Sequence, residues 1–237
     1  MHRFFAEELS GKLARLSDED EYHALRVLRM RPGDPCELIW NGARYRAVMR
    51  ESGMPEILSP LPSTEPELKI TLFQGLPKAD KMDWIVQKAV EIGITSIIPV
   101  IMQRCVVRAE SHDIVRKRER WQRIAYEASK QSGRCIVPQV SLPVSMKELI
   151  SMASALDASL VLWEEAAGIG PAAFASAHSS LHSLGLLIGP EGGIDPGEIS
   201  QIKECFQPVT LGPRILRTET AGLAAASAFF ALYGEME

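Results

Sequence analysis

The chain has 237 residues, of which 46% are hydrophobic and 24% charged, and its formal net charge is −4. This size allows one large domain or two modest ones, and the composition is ordinary for a soluble globular protein. No apolar run approaches the about 20 residues that a membrane span needs, and the N-terminus lacks the apolar core of a signal peptide, so we expect a cytoplasmic protein with no membrane partner.

The cysteines and histidines do not predict a metal site. The four cysteines are far apart and form no CxxC pair, which disfavours both a disulfide framework and a zinc site. His178 and His182 are four residues apart, but no third ligand accompanies them, and we interpret both as solvent-exposed. The negative net charge means that any binding of nucleic acid must come from a local basic patch.

The clearest short-range feature of the first part of the chain is a predicted β-hairpin. Asn41-Gly42 is the dipeptide that a type I′ turn prefers, because both central residues of that turn need a positive φ. Pairing outward from the turn sets Leu38 opposite Tyr45 and Glu37 opposite Arg46. We expect the second of these to be a cross-strand ion pair.

A proline-rich segment predicts the domain boundary. Residues 59–66 contain three prolines in eight positions, which is typical of a stiff linker. Residues 1–66 then form a small β-rich domain that also holds a short helix over 17–30, with Ser17 as its N-cap. Residues 67–237 form the second domain.

The second domain alternates between predicted strands and helices. This order is typical of a mainly parallel sheet with helices on both faces, so the fold class is α/β. The predicted strands cover 68–76, 94–101, 159–163, 184–188 and 209–211, and the predicted helices cover 80–91, 113–132, a segment that begins with a capping box at Ser145, and an Ala-rich segment that ends at Tyr233.

Two glycine-rich bends are the most informative features of the chain. In the first, the apolar run 186–188 turns through Gly189-Pro190-Glu191-Gly192-Gly193 into a helix start, where Asp195 can cap and Glu198 can close a capping box. In the second, a short strand runs through 212–221 into the last helix. Because open α/β sheets bind ligands at the carboxyl ends of their strands, two such bends predict a pocket walled by backbone. Neither GxGxxG nor GxxxxGK[ST] occurs, so the common dinucleotide and nucleoside triphosphate motifs are missing.

These bends, with other segments, resemble a known family. The residues 188–193 and 211–221 are similar to the signature of the RsmE-type 16S ribosomal RNA uridine methyltransferases of the SPOUT superfamily. Further matching segments are Gly75-Leu76-Pro77-Lys78 with residues 80–93, Glu127 to Arg134, and His23 with residues 25–34. Small departures occur at residues 103–107 and at Ile194-Asp195.

The resemblance implies a fold, a cofactor and partners. The fold would be an N-terminal PUA-like β-barrel followed by a SPOUT domain with a trefoil knot, although connections in proteins almost never thread. The implied activity is methylation of N3 of a uridine in 16S rRNA, free or in the 30S subunit, by a homodimer that needs no metal. S-adenosylmethionine would then contact residues of three loops: Trp163, Glu164, Ile188, Gly189, Pro190, Glu191, Gly192, Leu211, Gly212, Leu216, Arg217 and Thr218.

Three charged residues are candidates for the chemistry of the transfer. Arg217 would neutralise charge that develops on the uracil, and Glu219 would hold that arginine or its loop. Glu191 is a candidate for the base that accepts the N3 proton, although it could equally cap its own turn. A simpler interpretation is that Glu219 is a first-turn helix acid with Arg217 as its surface partner.

Basic residues on the helix 113–132 and in the first domain are candidates for RNA contacts. The helix is rich in arginine and lysine, which indicates either a solvated face or phosphate contacts. The residues that we predict to bind RNA are Arg3, Arg26, Arg29, Gln131 and Arg134. The dimer surface would be either the helix 80–91 or the Ala-rich C-terminal helix. A non-catalytic ribosome-assembly factor and a small-molecule enzyme remain alternative functions.

Overall fold

The fold is described from a computed structural model over residues 1–105, 111–163 and 169–236, leaving out the side chains of residues 111 and 112. The chain forms two compact units. The first comprises Met1–Glu65 and Ser129–Ile136, and the second comprises Pro66–Ala128 and Val137–Glu237.

The first unit is built on a closed five-stranded β-barrel, which confirms the predicted N-terminal barrel. Around the barrel the strand order is β1-β2-β5-β4-β3, with β1 parallel to β3 and the other pairs antiparallel. Buried side chains such as Phe4, Leu38 and Met49 fill its interior. The strands are β1 (His2–Ser10), β2 (Leu13–Leu16), β3 (Pro35–Trp40), β4 (Ala43–Met49) and β5 (Pro55–Leu61).

The hairpin between β3 and β4 has the predicted register but not the predicted ion pair. Leu38 pairs with Tyr45 and Glu37 with Arg46, around a turn with positive φ at both of its central residues. The carboxylate of Glu37 binds Arg3 at 2.9 Å and lies 3.8 Å from Arg44 instead. Arg3 stands directly beside Glu37 on the neighbouring parallel strand β1, and its guanidinium therefore reaches the carboxylate.

The sequence predicted the cap of the short helix correctly but placed the start of the linker too early. The side chain of Ser17 caps α1 (Asp18–Tyr22) by accepting from the Asp20 N–H at 3.1 Å, as predicted, and one π-helical turn (His23–Val27) follows. The linker prediction is wrong at its start, because β5 continues to Leu61. Pro60 is tolerated there because this end of β5 pairs only with β4, so its missing N–H breaks no ladder bond on the other side.

The second unit contains a six-stranded sheet in which all pairs are parallel, which confirms the α/β prediction. The strand order is β11-β9-β10-β6-β7-β8. The strands are β6 (Lys69–Gly75), β7 (Ser96–Val100), β8 (Gln139–Val140), β9 (Ala158–Leu162), β10 (Ser183–Ile188) and β11 (Gln207–Val209). The short β8 was not predicted, and β11 ends two residues earlier than expected, so Leu211 lies in the following loop.

Helices cover the sheet and bury one face each. In α2, Met82, Ile85, Val86 and Ala89 point into the core, and Gly93 ends the helix with a φ of 122°. The predicted capping boxes at the starts of α4 and α6 are both present. The helices are α2 (Lys81–Ile92), α3 (Ser111–Ser132), α4 (Met146–Ala153), α5 (Pro171–Ala177), α6 (Pro196–Ile202) and α7 (Thr218–Leu232), of which α5 was not predicted.

Within the described ranges, no helix combines the length and the apolar character that crossing a bilayer requires. The strand order by itself does not trace a knot, and the trefoil knot stays a prediction.

Candidate active site

The first glycine-rich bend follows β10 at the carboxyl edge of the sheet. It closes with a 2.9 Å hydrogen bond from the Gly193 N–H to the Pro190 carbonyl, and the φ of Gly193 is 73°, a conformation that side chains disfavour. A Cβ at Gly189 would lie 2.7 Å from Cγ1 of Ile194, so only glycine fits. Asp195 then caps α6, and the bend is anchored to rigid elements at both ends.

The bend rests on the end of β6. A Cβ at Gly75 would lie 2.7 Å from both the backbone nitrogen and Cδ of Pro190, so the two backbones meet without room for a side chain. Beside this contact, Gln74 Nε2 donates to Thr218 Oγ1 at 2.8 Å, and the Thr218 hydroxyl donates to the Gly189 carbonyl at 2.6 Å. The start of α7 is therefore hydrogen-bonded to the first bend.

The second bend connects β11 to α7. Gly212 has a φ of 96°, and its N–H donates to Thr210 Oγ1 at 3.3 Å, which closes a small turn. The side chain of Ile215 is 86% exposed, and Arg214 is exposed beside it. This loop therefore presents both apolar and cationic side chains to solvent before Thr218 begins the helix.

Two adjoining cavities lie between the bends. The larger has a volume of about 340 Å³ and the smaller about 200 Å³, and Leu162, Ile215, Leu216 and Ala221 line both. Together they are of the size that small ligands occupy, in a range of about 300–1,000 Å³. The larger cavity is also lined by Lys81, Ile188, Gly189, Pro190, Glu191, Gly193, Arg217 and Thr218, and the smaller by Trp163, Val209, Thr210, Leu211, Gly212, Pro213 and Arg214.

Lys81 links the first bend to the start of α7. Its Nζ lies 3.0 Å from Oε1 of Glu191 and 3.1 Å from Oε2 of Glu219. Both contacts are ion pairs, and Oε2 of Glu219 makes no hydrogen bond among the described residues. Glu191 also accepts from the Lys78 N–H at 3.1 Å. One ammonium group therefore bridges two carboxylates at the rim of the larger cavity.

The three charges stabilise one another. Partial burial raises the pKa of both Glu191 and Glu219, but a backbone N–H bond and the Lys81 ammonium outweigh it, so the pKa of each carboxyl is below its ordinary value. The contacts with Glu191 and then Glu219 raise the pKa of Lys81. All three groups are therefore charged at neutral pH.

Most of the predicted cofactor residues line the two cavities, but two need comment. Glu164 lies outside the described residues. Gly192 is exposed and packs its backbone against Arg104 instead, whose Nη1 donates to the Gly192 carbonyl at 3.1 Å. The predicted cofactor residues that line a cavity are Trp163, Ile188, Gly189, Pro190, Glu191, Leu211, Gly212, Leu216, Arg217 and Thr218.

The predicted catalytic residues are close together, with a different pairing. Glu219 was expected to hold either Arg217 or its loop: its ion pair is with Lys81, and Arg217 is exposed at the rim of the cavity. Glu191 accepts from the Lys78 N–H and forms an ion pair with Lys81, contacts that fit the capping of its own turn, and its role as a base stays a prediction. Sequence reasoning missed Lys81, because a lysine in the first turn of a helix has no distinctive spacing.

Two of the predicted RNA-binding residues have structural roles, which corrects those predictions. Arg134 is 3% exposed and forms a bidentate ion pair with Glu65, at 2.7 to 3.0 Å. Arg3 uses its guanidinium on Glu37 and on the Lys130 carbonyl, so it too is occupied. The remaining predicted residues, Arg26, Arg29 and Gln131, are exposed.

Within the described part of the chain, no group of three or more histidine, cysteine, aspartate or glutamate side chains is arranged to hold a metal ion. His178 does not share a helix face with His182, since α5 ends before both. Its ring stacks on Phe174 with a centroid distance of 4.2 Å.

Comparisons with known proteins identify the family. A model of the RNA methyltransferase domain matches residues 64–230. The ribosomal RNA small subunit methyltransferase E of Bacillus subtilis is 35% identical over 96% of this chain and 95% of its own length, and that of Aquifex aeolicus is 32% identical over 96% and 98%.

Solved structures indicate the same family as the sequence relatives. A ribosomal RNA small subunit methyltransferase E from Neisseria gonorrhoeae, bound to S-adenosylmethionine, is 36% identical over 98% of both chains with a TM-score of 0.85. A Legionella pneumophila protein in complex with the same cofactor is 30% identical over 98% of this chain and 97% of its own, with a TM-score of 0.84. The chain therefore belongs to the RNA methyltransferases and, among them, to the family of ribosomal RNA small subunit methyltransferase E, which confirms the resemblance in its sequence.

Proposed function

We propose that this chain transfers a methyl group from S-adenosylmethionine to N3 of a uridine in the 16S RNA of the small ribosomal subunit. The observation that carries the proposal is the pair of adjoining cavities between two glycine-rich bends. Both bends are held at the carboxyl edge of a parallel sheet, where such sheets bind ligands. Relatives of similar length carry the name ribosomal RNA small subunit methyltransferase E, and two similar structures hold S-adenosylmethionine.

The lining of the cavities fits the proposed cofactor. Apolar side chains such as Leu162, Ile188 and Leu216 suit an adenine ring, and the backbone of the bends can pair with its edge. At the rim, Lys81 and Glu191 offer charges of both signs, which suit the carboxylate and the ammonium of an amino-acid end. A glycine at position 189 lets the backbone approach a ligand closely.

The residues at the rim then act on the base. When bound, S-adenosylmethionine supplies an electrophilic methyl group on a positively charged sulfur. Arg217, exposed beside the larger cavity, stabilises the negative charge that the uracil carries once N3 has given its proton to solvent water. Lys81 and Glu219 hold the start of α7 against the first bend, so the site is fixed before the substrate arrives.

The RNA would bind through exposed cations. On α3, Arg116, Lys117 and Arg123 are exposed, and phosphate contacts need such groups. In the first unit the cations Arg26 and Arg29 are exposed as well, and so is the uncharged amide of Gln131.

The remaining parts of the proposal concern assembly and location. We propose a cytoplasmic homodimer that acts on free 16S RNA or on the 30S subunit, a trefoil knot in the second unit, and a domain boundary at residues 66–67. Partly buried small residues on α7, among them Ala221, Ala224 and Ala228, permit the close approach of a second copy.

Calorimetry with S-adenosylhomocysteine tests the cofactor site. The wild-type chain is expected to bind one molecule per subunit, and Leu216→Asp is expected to abolish binding because it places a charge in both cavities. Lys147→Ala, an exposed residue on α4, serves as the control. A folded wild-type protein that binds no cofactor product would contradict the proposal.

Mass spectrometry of ribosomal RNA tests the substrate. Cells that lack this protein are expected to lose one 3-methyluridine from 16S RNA, and the wild-type chain is expected to restore it. Methyl incorporation into free 16S RNA and into 30S particles in parallel then defines the state of the substrate. Loss of a different modification would disprove the assignment to uridine N3.

A further inference from the structure

Gln74 is a buried amide at the end of a central strand. It is the next-to-last residue of β6, which lies between β10 and β7, and its side chain is 1% exposed. Burying an amide costs free energy unless its polar atoms are hydrogen-bonded. Its position directly under the first bend therefore needs a physical reason.

The neighbours of Gln74 fix the direction of its hydrogen bonds. The Gly75 carbonyl can only accept, so the amide atom 3.1 Å from it is the nitrogen, Nε2. The same nitrogen donates to Thr218 Oγ1 at 2.8 Å, and that hydroxyl must donate in turn, because the Gly189 carbonyl 2.6 Å away only accepts. Both hydrogen bonds are therefore donated in the same direction, from Gln74 to Thr218 and from Thr218 to Gly189. We call this chain of two hydrogen bonds the relay.

The other end of the amide is left unpaired. Oε1 of Gln74 is buried and has no hydrogen-bond donor among the described residues. Leaving a buried acceptor without a partner costs folding free energy, and an apolar side chain of similar size avoids this cost. The useful part of the amide at this position is therefore its donor, Nε2, which holds Thr218.

We propose that Gln74 is a positioning residue for the methyl donor. Through Thr218 it fixes the direction of the Gly189 carbonyl, and both Thr218 and Gly189 line the larger cavity while Gln74 does not. Because Gln74 does not line the cavity, it acts on cofactor affinity indirectly, by holding the first bend that forms the cavity wall. The inference rests on the proposed function, since it assigns the larger cavity to S-adenosylmethionine.

The relay is tested by breaking it at two points and measuring cofactor binding. Gln74→Leu and Thr218→Val are each expected to raise the Kd for S-adenosylhomocysteine about tenfold, the effect of about 1.4 kcal/mol, and to raise the KM for S-adenosylmethionine similarly. The KM for RNA is expected to stay unchanged. Because both changes interrupt one relay, the double variant is expected to bind no more weakly than either single variant. Thr218→Ser keeps the hydroxyl and is expected to restore wild-type binding.

Ser159→Ala is the matched control for a merely structural effect. Ser159 is 5% exposed, and its hydroxyl donates to the Ala153 carbonyl at 3.1 Å, near the amino ends of the strands. This control is expected to lower Tm and to leave Kd unchanged. If Gln74→Leu and Thr218→Val behave in the same way, the positioning role is disproved.

The outcomes separate this inference from the function on which it rests. A wild-type protein that does not bind the cofactor product refutes the proposed function itself. Normal wild-type binding with unaffected variants refutes only the role of Gln74. If Gln74→Leu does not fold, Gln74→Met decides the question instead, because it removes the donor while nearly keeping the size of the side chain, whereas Thr218 itself lines the cavity.

Discussion

Gly75 and Pro190 meet backbone to backbone: a Cβ on Gly75 would lie 2.7 Å from the Pro190 nitrogen. This contact joins the end of β6 to the first bend of the site. Glycine is therefore required at position 75 for packing, although its own φ is not positive.

Gly75→Ala is expected to displace the first bend. Overpacking of this kind costs about 1–3 kcal/mol of folding stability, and the shifted bend is expected to bind S-adenosylhomocysteine at least tenfold more weakly, which is about 1.4 kcal/mol. Calorimetry and thermal unfolding measure the two effects. Gly170→Ala is the control, since a Cβ there meets nothing within 4 Å. Wild-type affinity in Gly75→Ala would show that the bend does not depend on this contact.

Lys81→Met is expected to damage the site more than the fold. It removes the shared cation and leaves the carboxylates of Glu191 and Glu219 facing each other. The ion pairs are partly exposed, so their loss costs stability only about 1 kcal/mol or less, whereas kcat/KM for methyl transfer is expected to fall at least tenfold. Lys88→Met on the same helix breaks an ordinary pair with Glu91 and is expected to leave the rate unchanged. Equal rates in the two variants would contradict the role of Lys81.

The same cluster predicts how stability depends on pH. The pKa values of Glu191 and Glu219 are lowered in the folded chain, so their contribution is present above the ordinary value of 4.5 and is lost as pH falls below it. The pKa of Lys81 is raised, so its contribution is present below 10.5 and is lost at higher pH. Between these limits the difference in Tm between the wild type and Glu219→Gln is expected to be constant. This difference in Tm should shrink below pH 4.5. A difference that grows there would show that folding raises the pKa of Glu219 and does not lower it.

Arg134→Leu tests whether Arg134 has a structural role and does not bind RNA. The variant leaves the buried carboxylate of Glu65 with its backbone donors at Cys135 and Ile136 but without its cationic partner, which costs about 3 kcal/mol of folding stability. RNA affinity of the folded fraction is expected to stay unchanged. Gln131→Ala, three residues earlier and exposed, is expected to do the opposite: wild-type Tm with weaker RNA binding. A stable Arg134→Leu protein that binds RNA weakly would restore the original prediction.

Arg116→Ala and Arg123→Ala are expected to weaken RNA binding uniformly across sequences. Each removes one exposed cation of α3, so the slope of log affinity against log salt concentration should decrease by about 1 for each phosphate that the variant no longer neutralises. Lys147→Ala on α4 provides the matched removal of one charge. An unchanged slope in the α3 variants would place the RNA elsewhere.

The elements of the fold could be predicted where the sequence carries local signals. Periodic apolar residues define α2, and capping boxes define the starts of α4 and α6, because both patterns act within one helix turn. The sequence did not predict the short strand β8 or the helix α5. A strand of two residues and a short Ala-rich helix show little periodicity of apolar residues.

The site could be predicted in position but not in its contacts. The two glycine-rich bends mark the site because glycine is needed where backbones approach closely. The partners of charged residues come from distant parts of the chain: Glu219 pairs with Lys81, and Arg134 with Glu65. Spacing along the sequence contains no information about such pairs. The same limit explains why Gln74 stood out only in three dimensions.

The division of α3 between the two compact units has a practical consequence. Residues up to Ala128 belong to the unit of the parallel sheet, while Ser129–Ile136 belong to the barrel unit. A recombinant fragment beginning at Pro66 would contain Arg134 but not Glu65. The isolated barrel would contain Glu65 but not Arg134. Neither half is therefore expected to be obtained in a native state by truncation at the proline-rich segment, and limited proteolysis there should produce a nicked protein whose pieces remain associated.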